Sequence, residues 1–346
     1  MNNISKFDKN FRVVEHINKD GFNFYNIDNE PFSIHGVFKE NGRYHRMPES
    51  IAKTVSEGVY NINNNTAGGR VRFKTDSKRI AIIAKMSEVN KNPHNPLTAT
   101  SGFDMYFDDM FVGAFIPTLD ITSGYESCLS FDNNEMKNVT INFSISSSLD
   151  ELYIGIDEGA VLESPVPYKN IKPIVYYGSS ITQGGCASRP GNIYQNFISR
   201  RFNCDYINLG FSGNAKAEDE IADYVADLDM SVFVYDYDHN APTVEHLKNT
   251  HEKMFKAVRS KHPDLPIIMM SRPRYYIDSD VEQRLQVIKT TYDNAVAAGD
   301  KNVYLITGKE LMAIAGHDGT VDFVHPNDLG FYSMAEALAN VLKTII

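Results

Sequence analysis

Residues 174–185 read I-V-Y-Y-G-S-S-I-T-Q-G-G. An apolar run, typical of a buried strand, stops at Gly178, and two adjacent serines and further glycines follow it. Taken alone, a serine in such a turn is most often the cap of a helix. Whether either hydroxyl does chemistry depends on what stands at the ends of the other predicted strands.

The alternation of strand and helix that begins here continues to the end of the chain. Near-continuous apolar strands separated by helices predict a parallel sheet that is covered on both faces. The predicted strands are 174–177, 206–209, 231–237, 267–270 and 303–306, and the predicted helices are 192–202, 217–227, 243–260, 280–298 and 328–343. Ligands of such sheets bind beyond the carboxyl ends of the strands, so functional residues are expected in the loops that follow them.

The first half of the chain has a different pattern. Short apolar or alternating runs recur between polar turns, which predicts an all-β sandwich or jelly roll. The runs are 32–38, 70–73, 79–86, 103–107, 111–115, 139–145 and 152–156. A segment with three prolines, E-S-P-V-P-Y-K-N-I-K-P (163–173), predicts a stiff linker, so the expected domains are residues 1–165 and 166–346. Residues 88–102 are expected to form a long loop.

Composition limits the classes of function. The 34 lysines and arginines against 44 acidic residues give a net charge of −10, which does not attract nucleic acid or anionic lipid. No apolar run approaches the ~18 residues of a spanning helix. The first residues, M-N-N-I-S-K-F-D-K-N-F, lack the apolar core of a secretion signal. We therefore expect a cytoplasmic protein with no nucleic-acid or membrane partner.

The three cysteines also fit a reducing compartment such as the cytoplasm. Cys128, Cys186 and Cys204 are irregularly spaced, which indicates free thiols and neither a disulfide framework nor a zinc site. Cys186 lies close to the two serines in sequence, but nothing at that position demands a thiol, and we interpret it as a small packing residue.

Chemically active side chains follow the predicted strands of the second half. Ser180 follows the first strand, Gly213 the second and Asn240 the third, and Asp322 and His325 stand between the fifth strand and the last helix. Together they offer a nucleophile, a base with a residue to orient it, and donors for an oxyanion, which are the parts that acyl transfer needs. Each alone is a weak signal, because caps and turns use the same residue types.

The order and residue pattern of these segments resemble the SGNH (GDSL-like) hydrolase superfamily. Its fold is a three-layer α/β/α arrangement, in which a parallel sheet lies between two layers of helices. Gly178-Ser179-Ser180-Ile181 aligns with its G-D-S-hydrophobic block, which makes Ser180 the nucleophile and places Ser179 where many members carry aspartate. Asp322 and His325 match its last block, D-x-x-H, in full.

The middle blocks match less completely. Gly213 corresponds to the glycine of the second block, and Asn240 to the asparagine of the third, G-x-N-D, in which Asp238 and Ala241 replace the other two fixed residues. In the first half, G-F-D-M-Y (102–106) resembles the G-x-D-L-Y motif of the β-domain that precedes some members. The subgroup with this arrangement is similar to bacterial carbohydrate O-acetyl esterases.

The resemblance implies a mechanism that needs neither metal nor cofactor. Ser180 would attack the acyl carbon, His325 would take its proton, and Asp322 would orient the imidazole. The N–H groups of Ser180 and Gly213 and the amide of Asn240 would receive the oxyanion.

Five further residues are candidates for contact with substrate. His239, beside the asparagine of the third block, is a rival base or a structural polar residue. Arg272 and Arg274 follow the fourth strand and either bind a substrate oxygen or lie in a solvated loop. Asp104 and Tyr106 belong either to a core strand or to a polar strand face that reaches the active-site cleft.

The function implied by the resemblance is that of a serine esterase removing O-acetyl groups from oligosaccharides derived from mannan or xylan. A lipase should show an apolar lid or a large apolar patch, and the sequence offers no candidate. A general short-chain carboxylester or thioester hydrolase is the alternative enzyme. A non-catalytic carbohydrate-binding protein is the alternative of another class. The expected partner is a small-molecule or oligosaccharide ester, and a homodimer is left open.

Overall fold

A computed structural model describes residue 13 and residues 16–346 of the chain. The segment M-N-N-I-S-K-F-D-K-N-F, in which we expect no secretion signal, lies outside the described residues. The described chain forms an antiparallel β-domain followed by a parallel α/β domain, the predicted fold class. No helix of residues 16–346 is both long enough and apolar enough to cross a membrane.

The β-domain is a pair of antiparallel sheets. Its strands are β1 (Phe22–Asn26), β2 (Ser33–His35), β3 (Phe38–Glu40), β4 (Arg43–His45), β5 (Arg70–Thr75), β6 (Arg79–Lys85), β7 (Phe103–Phe107), β8 (Met110–Phe115), β9 (Gly124–Ser130), β10 (Lys137–Asn142), β11 (Glu151–Asp157) and β12 (Leu162–Glu163). Its helices are α1 (Glu49–Val55), α2 (Glu57–Ile62) and α3 (Leu97–Thr100). The sheet orders are β1-β11-β6-β9 and β12-β5-β10-β7-β8, with β2 also paired to β5 and β3 paired to β4.

The two sheets bury one face each against a shared core. Val71 and Phe73 of β5 lie in that core with Ile82 of β6 and Ile154 of β11. Because side chains alternate along a strand, the arginines of β5 project from the opposite face. This polar face of β5, β7 and β10 meets the α/β domain.

The α/β domain contains a five-stranded parallel sheet. Its strands are β13 (Asn170–Gly178), β14 (Cys204–Gly210), β15 (Val232–Asp236), β16 (Ile267–Met270) and β17 (Val303–Ile306), in the order β14-β13-β15-β16-β17. Its helices are α4 (Ser180–Gln183), α5 (Tyr194–Phe202), α6 (Asp219–Asp227), α7 (Val244–Lys261), α8 (Ser279–Ala297), α9 (Gly308–Leu311) and α10 (Asp328–Leu342), with 3₁₀ turns at Pro190–Asn192 and Gly316–Gly319.

Alternate residues of β13 enter different cores, as a sheet covered on both faces requires. Ile174 and Tyr176 pack with residues of α5 and α10. Val175 and Tyr177 pack with residues of α6, α7 and α8 on the other face. Successive residues of β13 therefore face opposite sides of the sheet until the strand ends at Gly178. Helix α4 begins two residues later, at Ser180.

The first half is a β-domain as predicted, but it also contains three short helices that the sequence analysis did not predict, and two of them pack on the second domain. Ala52 and Val55 of α1 and Val59 of α2 belong to the hydrophobic core on the α6–α8 side of the parallel sheet. These helices are held by the second domain, so their apolar residues serve a core formed by residues far away in sequence.

Candidate active site

Ser180, His325 and Asp322 form one chain of hydrogen bonds at the carboxyl end of the parallel sheet. The Oγ of Ser180 lies 2.9 Å from Nε2 of His325. The Nδ1 of the same imidazole lies 2.7 Å from Oδ2 of Asp322. A hydroxyl bonded to an imidazole that a carboxylate orients is the arrangement that activates serine for attack on an acyl carbon.

The loop before α10 fixes Asp322 and His325 relative to each other. The Oδ1 of Asp322 accepts from the N–H of Val324 at 3.0 Å and of His325 at 2.8 Å, while Oδ2 faces the imidazole. Partial burial opposes ionisation of Asp322, but the N–H and imidazole of His325 outweigh it and lower the pKa of Asp322 to about 2. The carboxylate therefore stays charged and can stabilise an imidazolium.

The turn that carries Ser180 needs a glycine before it. A Cβ on Gly178 would lie 2.2 Å from both Asp236 Oδ1 and Thr182 Oγ1, so no larger residue fits there. Ser179 is fully buried and caps α4, since its Oγ accepts from the N–H of Ile181 at 3.2 Å. The two adjacent serines thus have different surroundings: one is a buried cap, and the other faces the imidazole.

Asn240 is oriented by two backbone donors. The hydrogen-bond surroundings assign the orientation of its amide: with Oδ1 toward the loop, it accepts from the N–H of Gly213 at 2.8 Å and of Asn214 at 3.3 Å. Gly213 has φ +72°, the left-handed region that favours glycine. We expected the Gly213 N–H to donate to an oxyanion, but here it donates to the amide oxygen, which leaves the Asn240 Nδ2 as the donor for other groups.

A cavity of about 380 Å³ opens around the Ser180 hydroxyl, and both domains line it. The α/β domain supplies the triad together with Gln183, Gly185, Cys186 and Ser212. The β-domain supplies Ile62, Asn65, Asn90, Asn92, His94, Asn95, Ile145 and Ser146. The sequence did not mark these residues as functional. The only signal was the length of the 88–102 segment, since long loops within compact domains are often binding loops.

Several contacts tie the β-domain to this cavity. The N–H of Cys186 donates to Oδ1 of Asn95 at 2.5 Å, and Gln183 Nε2 donates to Oδ1 of Asn65 at 3.1 Å. Cys186 has φ +75°, and burial, followed by the nearby carboxylate of Asp322, raises the pKa of its thiol to about 11. The thiol stays protonated at neutral pH, which agrees with a packing residue and not with a second nucleophile.

His239 lies near the triad but is enclosed. Burial, followed by the charges of Arg272 and Arg274, holds the pKa of His239 well below its usual range. Its Nε2 has no hydrogen-bond partner among the described residues. This lowered pKa makes His239 a poor proton acceptor, and its imidazole is not part of the hydrogen-bonded chain that contains Ser180.

The two arginines after β16 are held by the protein. The Nη2 of Arg272 donates to the carbonyl of Asp238 at 3.1 Å, and its Nη1 donates to Asp280 at 3.0 Å. Arg274 donates to Asp278 at 3.2 Å, and its guanidinium lies 4.8 Å from the ring centre of Phe323. Neither lines the cavity of Ser180. Arg274 instead contacts the loop that carries the triad carboxylate.

Asp104 and Tyr106 lie between the domains and do not line the cavity of Ser180. Asp104 is fully buried and accepts from Arg189 Nη1 at 2.8 Å, the N–H of Gly191 at 2.7 Å and Asn142 Nδ2 at 2.8 Å. Arg189 also donates to the hydroxyl of Tyr106. One of the two expectations was that the polar face of β7 reaches the active-site cleft. This face does reach the second domain, but there it meets the partly buried Arg189 and not the cleft.

The part of the chain that the structure describes brings together no group of three or more His, Cys, Asp or Glu side chains that could hold a metal ion.

Two family profiles match the chain. Residues 171–343 match the GDSL-like lipase/acylhydrolase family. Residues 22–162 match the amino-terminal domain of SGNH-hydrolase-type esterases, the GxDLY domain. Comparison with curated protein sequences finds no significant match.

Solved structures similar to this chain span nearly its whole length. A candidate GDSL-like lipase from Bacteroides ovatus is 28% identical, with a TM-score of 0.83 over 94% of this chain and 98% of its own. A salicylyl-acyltransferase from a tetracycline biosynthetic pathway is 18% identical, with a TM-score of 0.77 over 94% and 98%. An acetyl xylan esterase from the rumen bacterium Butyrivibrio proteoclasticus is 12% identical, with a TM-score of 0.61 over 93% and 98%. The acyltransferase and the acetyl xylan esterase are only 18% and 12% identical to this chain, so their similarity shows a shared fold alone.

Proposed function

Because the chain belongs to the GDSL-like lipase/acylhydrolase family and is thus a carboxylic ester hydrolase, we propose that it removes O-acetyl groups from acetylated oligosaccharides. The oligosaccharides that we infer are fragments of mannan or xylan. The observation that carries this proposal is the row of amide side chains that the β-domain adds to the cavity of Ser180.

The lining of this cavity favours a hydroxylated substrate. Asn90, Asn92 and Asn95 lie in the β-domain part of the cavity. Asn65 and Gln183 lie beside them, but the amides of these two residues are hydrogen-bonded to each other. Primary amides both donate and accept, so they match the mixed donors and acceptors of sugar hydroxyls. A long acyl chain would instead need a large apolar surface.

The small apolar share of the lining supports a short acyl group. Among the described lining residues, Ile62 and Ile145 are the large aliphatic side chains. They can cover an acetyl methyl group, whereas a fatty acyl chain would leave most of its carbons against amides and water. The acetyl xylan esterase with the same fold is consistent with this substrate class.

The first half of the reaction forms an acyl-serine. The Oγ of Ser180 attacks the acetyl carbonyl carbon while Nε2 of His325 takes the hydroxyl proton, and the carbonyl oxygen becomes an oxyanion. The charged Asp322 stabilises the resulting imidazolium. When the tetrahedral intermediate collapses, the bond to the sugar oxygen breaks and that oxygen receives the proton from His325.

The second half releases acetate. Water attacks the acyl carbon and gives its proton to His325, and collapse of the second intermediate returns the proton to the Oγ of Ser180. In both halves the oxyanion needs fixed donors. We assign the N–H of Ser180, at the start of α4, and the Nδ2 of Asn240 to this role, with the Gly213 N–H holding the Asn240 amide in place.

A comparison of substrates tests the proposal. Acetate release from acetylated manno- and xylo-oligosaccharides is measured beside hydrolysis of 4-nitrophenyl acetate, butyrate and octanoate. We expect the highest kcat/KM for the acetylated oligosaccharides and a fall in kcat/KM from acetate to octanoate. A preference for octanoate would contradict the sugar-ester assignment, and equal values for nitrophenyl acetate and oligosaccharides would favour a general short-chain ester or thioester hydrolase. Sugar binding without any ester cleavage would favour a non-catalytic binding protein.

A further inference from the structure

A second cavity, of about 330 Å³, lies between the two domains and shares no lining residue with the cavity of Ser180. Strands β5, β7 and β10 of the β-domain form one wall, and helix α5 of the α/β domain contributes to the other. We refer to it as the interdomain cavity. Its volume is within the range of small-molecule sites.

Two buried polar atoms of the residues that line the interdomain cavity have no hydrogen-bond partner in the part of the chain that the structure describes. They are Nη1 of Arg72 and Oδ1 of Asn142. Arg72 is 4% exposed and Asn142 is 3% exposed. Buried polar groups are almost always paired, so each such atom calls for an explanation, such as a ligand that the site takes up.

The remaining contacts of these side chains fix where the unpaired atoms stand. Arg72 donates through Nε to Thr140 at 3.3 Å, and its guanidinium lies 3.9 Å from the ring centre of Tyr168. Asn142 donates through Nδ2 to Asp104 at 2.8 Å, which settles the orientation of its amide and leaves Oδ1 as the unpaired acceptor. The cavity wall thus offers one cationic donor and one neutral acceptor.

The interdomain cavity also has an excess of positive charge in its buried part. Neither Arg72 nor Arg200 forms an ion pair within 4.0 Å among the described residues, whereas their neighbour Arg70 is paired with Asp205. Burial lowers the pKa of Arg72 and of Arg200, which reflects the cost of holding a cation away from water. An anion bound between these arginines would remove that cost.

Nearby carboxylates compensate these cations only in part: Asp108 favours the charged form of Arg72 and Asp104 that of Arg200, but burial outweighs them and the pKa of each guanidinium is still lowered. Asp108 and Asp109 are exposed at the turn between β7 and β8, and Asp108 accepts from Asn138 at 3.2 Å. An exposed carboxylate is screened by solvent and compensates a buried guanidinium poorly.

We propose that the interdomain cavity binds a small carboxylate that carries hydroxyl groups, of the sugar-acid class. The carboxylate accepts from Nη1 of Arg72 and lies near the guanidinium of Arg200, while a hydroxyl donates to Oδ1 of Asn142. The ring of Tyr168, which also lines the cavity, holds the guanidinium of Arg72 in place. A bare anion satisfies only the arginines and repels the amide oxygen, and a neutral sugar leaves both guanidinium groups without a counter-ion.

Titration calorimetry of the wild-type protein separates these ligand classes, with D-glucuronate, D-glucose and sulfate as probes. We expect saturable binding of glucuronate, with glucose and sulfate at least tenfold weaker. Equal binding of sulfate would overturn the requirement for hydroxyl groups, and equal binding of glucose would overturn the requirement for charge. Absence of glucuronate binding would overturn the site itself and leave water as the partner of the unpaired atoms.

Two variants locate the bound ligand. Arg72→Gln and, from the other domain, Arg200→Gln should each weaken glucuronate binding about tenfold or more, the loss expected when a charge-assisted hydrogen bond is removed. Lys74→Gln is the matched control, because Lys74 lies on the same strand and is paired with Glu163 outside this cavity.

Undiminished binding by either folded arginine variant would contradict the proposal. If Arg72→Gln does not fold, Arg200→Gln and the wild-type probes decide it. Ester hydrolysis by both variants should stay at the wild-type level, so a failure of this proposal does not bear on the proposed function.

Discussion

Asp236 shows how tightly the turn that presents Ser180 is packed. It lies at the carboxyl end of β15, and its Oδ1 accepts from the hydroxyl of Thr182 beside the backbone of Gly178. Burial is the main cause that raises the pKa of Asp236, to about 8. The charge of Asp238 also raises this pKa, whereas the hydrogen bond from Thr182 lowers it. This acid is therefore protonated in the folded protein around neutral pH, where an unfolded chain would have released the proton.

The raised pKa of Asp236 predicts a pH dependence of stability. Its contribution to the free energy of unfolding is complete below its ordinary pKa of 3.8 and is lost as the pH rises through about 8. In the wild type, the free energy of unfolding should fall by up to ~1.4 kcal/mol per pH unit over that window. Asp236→Asn cannot ionise at this position and should not show this fall. Urea unfolding of the wild type and variant at several pH values between 5 and 8 measures this difference. Parallel curves would contradict the prediction.

At the residue scale, the sequence placed the right side chains in the right loops but not the hydrogen bonds between them. Parallel strands bring their carboxyl ends to one edge, and this rule was enough to group Ser180 with Asp322 and His325. It could not show that Gly213 donates to the amide of Asn240, because that contact depends on the left-handed conformation of one loop. Nor could it show that Arg272 donates to the carbonyl of Asp238, because that contact joins two loops.

At the scale of elements, strand β7 joins the two domains through its polar face. Asp104 has three donors, from Arg189, Gly191 and Asn142, and is fully buried. Removal of a carboxylate in such a position leaves a partly buried guanidinium without its partner. The G-x-D-x-Y motif thus acts, in this structure, as a structural connection between β-domain and α/β domain.

Asp104→Ala should therefore destabilise the protein by about 3 kcal/mol or more. Asp109→Ala is the matched control, because Asp109 is exposed on the turn that follows the same strand, and it should change stability by less than ~0.5 kcal/mol. Urea unfolding gives both values. A variant of Asp104 as stable as that of Asp109 would show that the connection contributes little.

Elements with a clear periodic pattern of their own could be predicted, and those without one could not. Four of the five strands and all five long helices of the second half lie within two residues of their predicted bounds, because each carries its own periodic pattern. Strand β13 begins four residues earlier than predicted, at Asn170, within the segment predicted to be a linker. Helices α1 and α2 were missed, since the residues that cover their apolar side come from the α6 and α7 region. Strand β9 was also missed, because it lies at a sheet edge and its sequence, G-Y-E-S-C-L-S, is only partly apolar.

At the scale of the whole molecule, the β-domain completes the cavity that the α/β domain begins. The loop before α3 brings Asn90, Asn92 and Asn95 to the cavity of Ser180. The sequence predicted a long loop there, but its position over the active site follows from how the two domains dock. The accessory domain is thus expected to select the alcohol part of the ester, while the α/β domain performs the chemistry.

Asn90→Ala should separate these two roles. Its exposed side chain lines the cavity, and loss of one hydrogen bond to a sugar should raise KM for acetylated oligosaccharides about fivefold. Hydrolysis of 4-nitrophenyl acetate should not change, because that ester has no hydroxyl groups to bind. Asn23→Ala, an exposed residue of β1, is the control. An equal change for both substrates would argue against a sugar subsite on the β-domain.

The central claim is that Ser180, and not its neighbour, is the nucleophile of an acetyl ester hydrolase. Its most direct measurement is the rate of acetate release from an acetylated manno-oligosaccharide by Ser180→Ala and Ser179→Ala. We predict that Ser180→Ala lowers turnover by at least ~10⁴-fold with unchanged stability. Ser179→Ala should keep turnover of the wild-type order and lose about 1 kcal/mol of stability with its helix cap. Loss of turnover in Ser179→Ala, with activity retained in Ser180→Ala, would contradict the account.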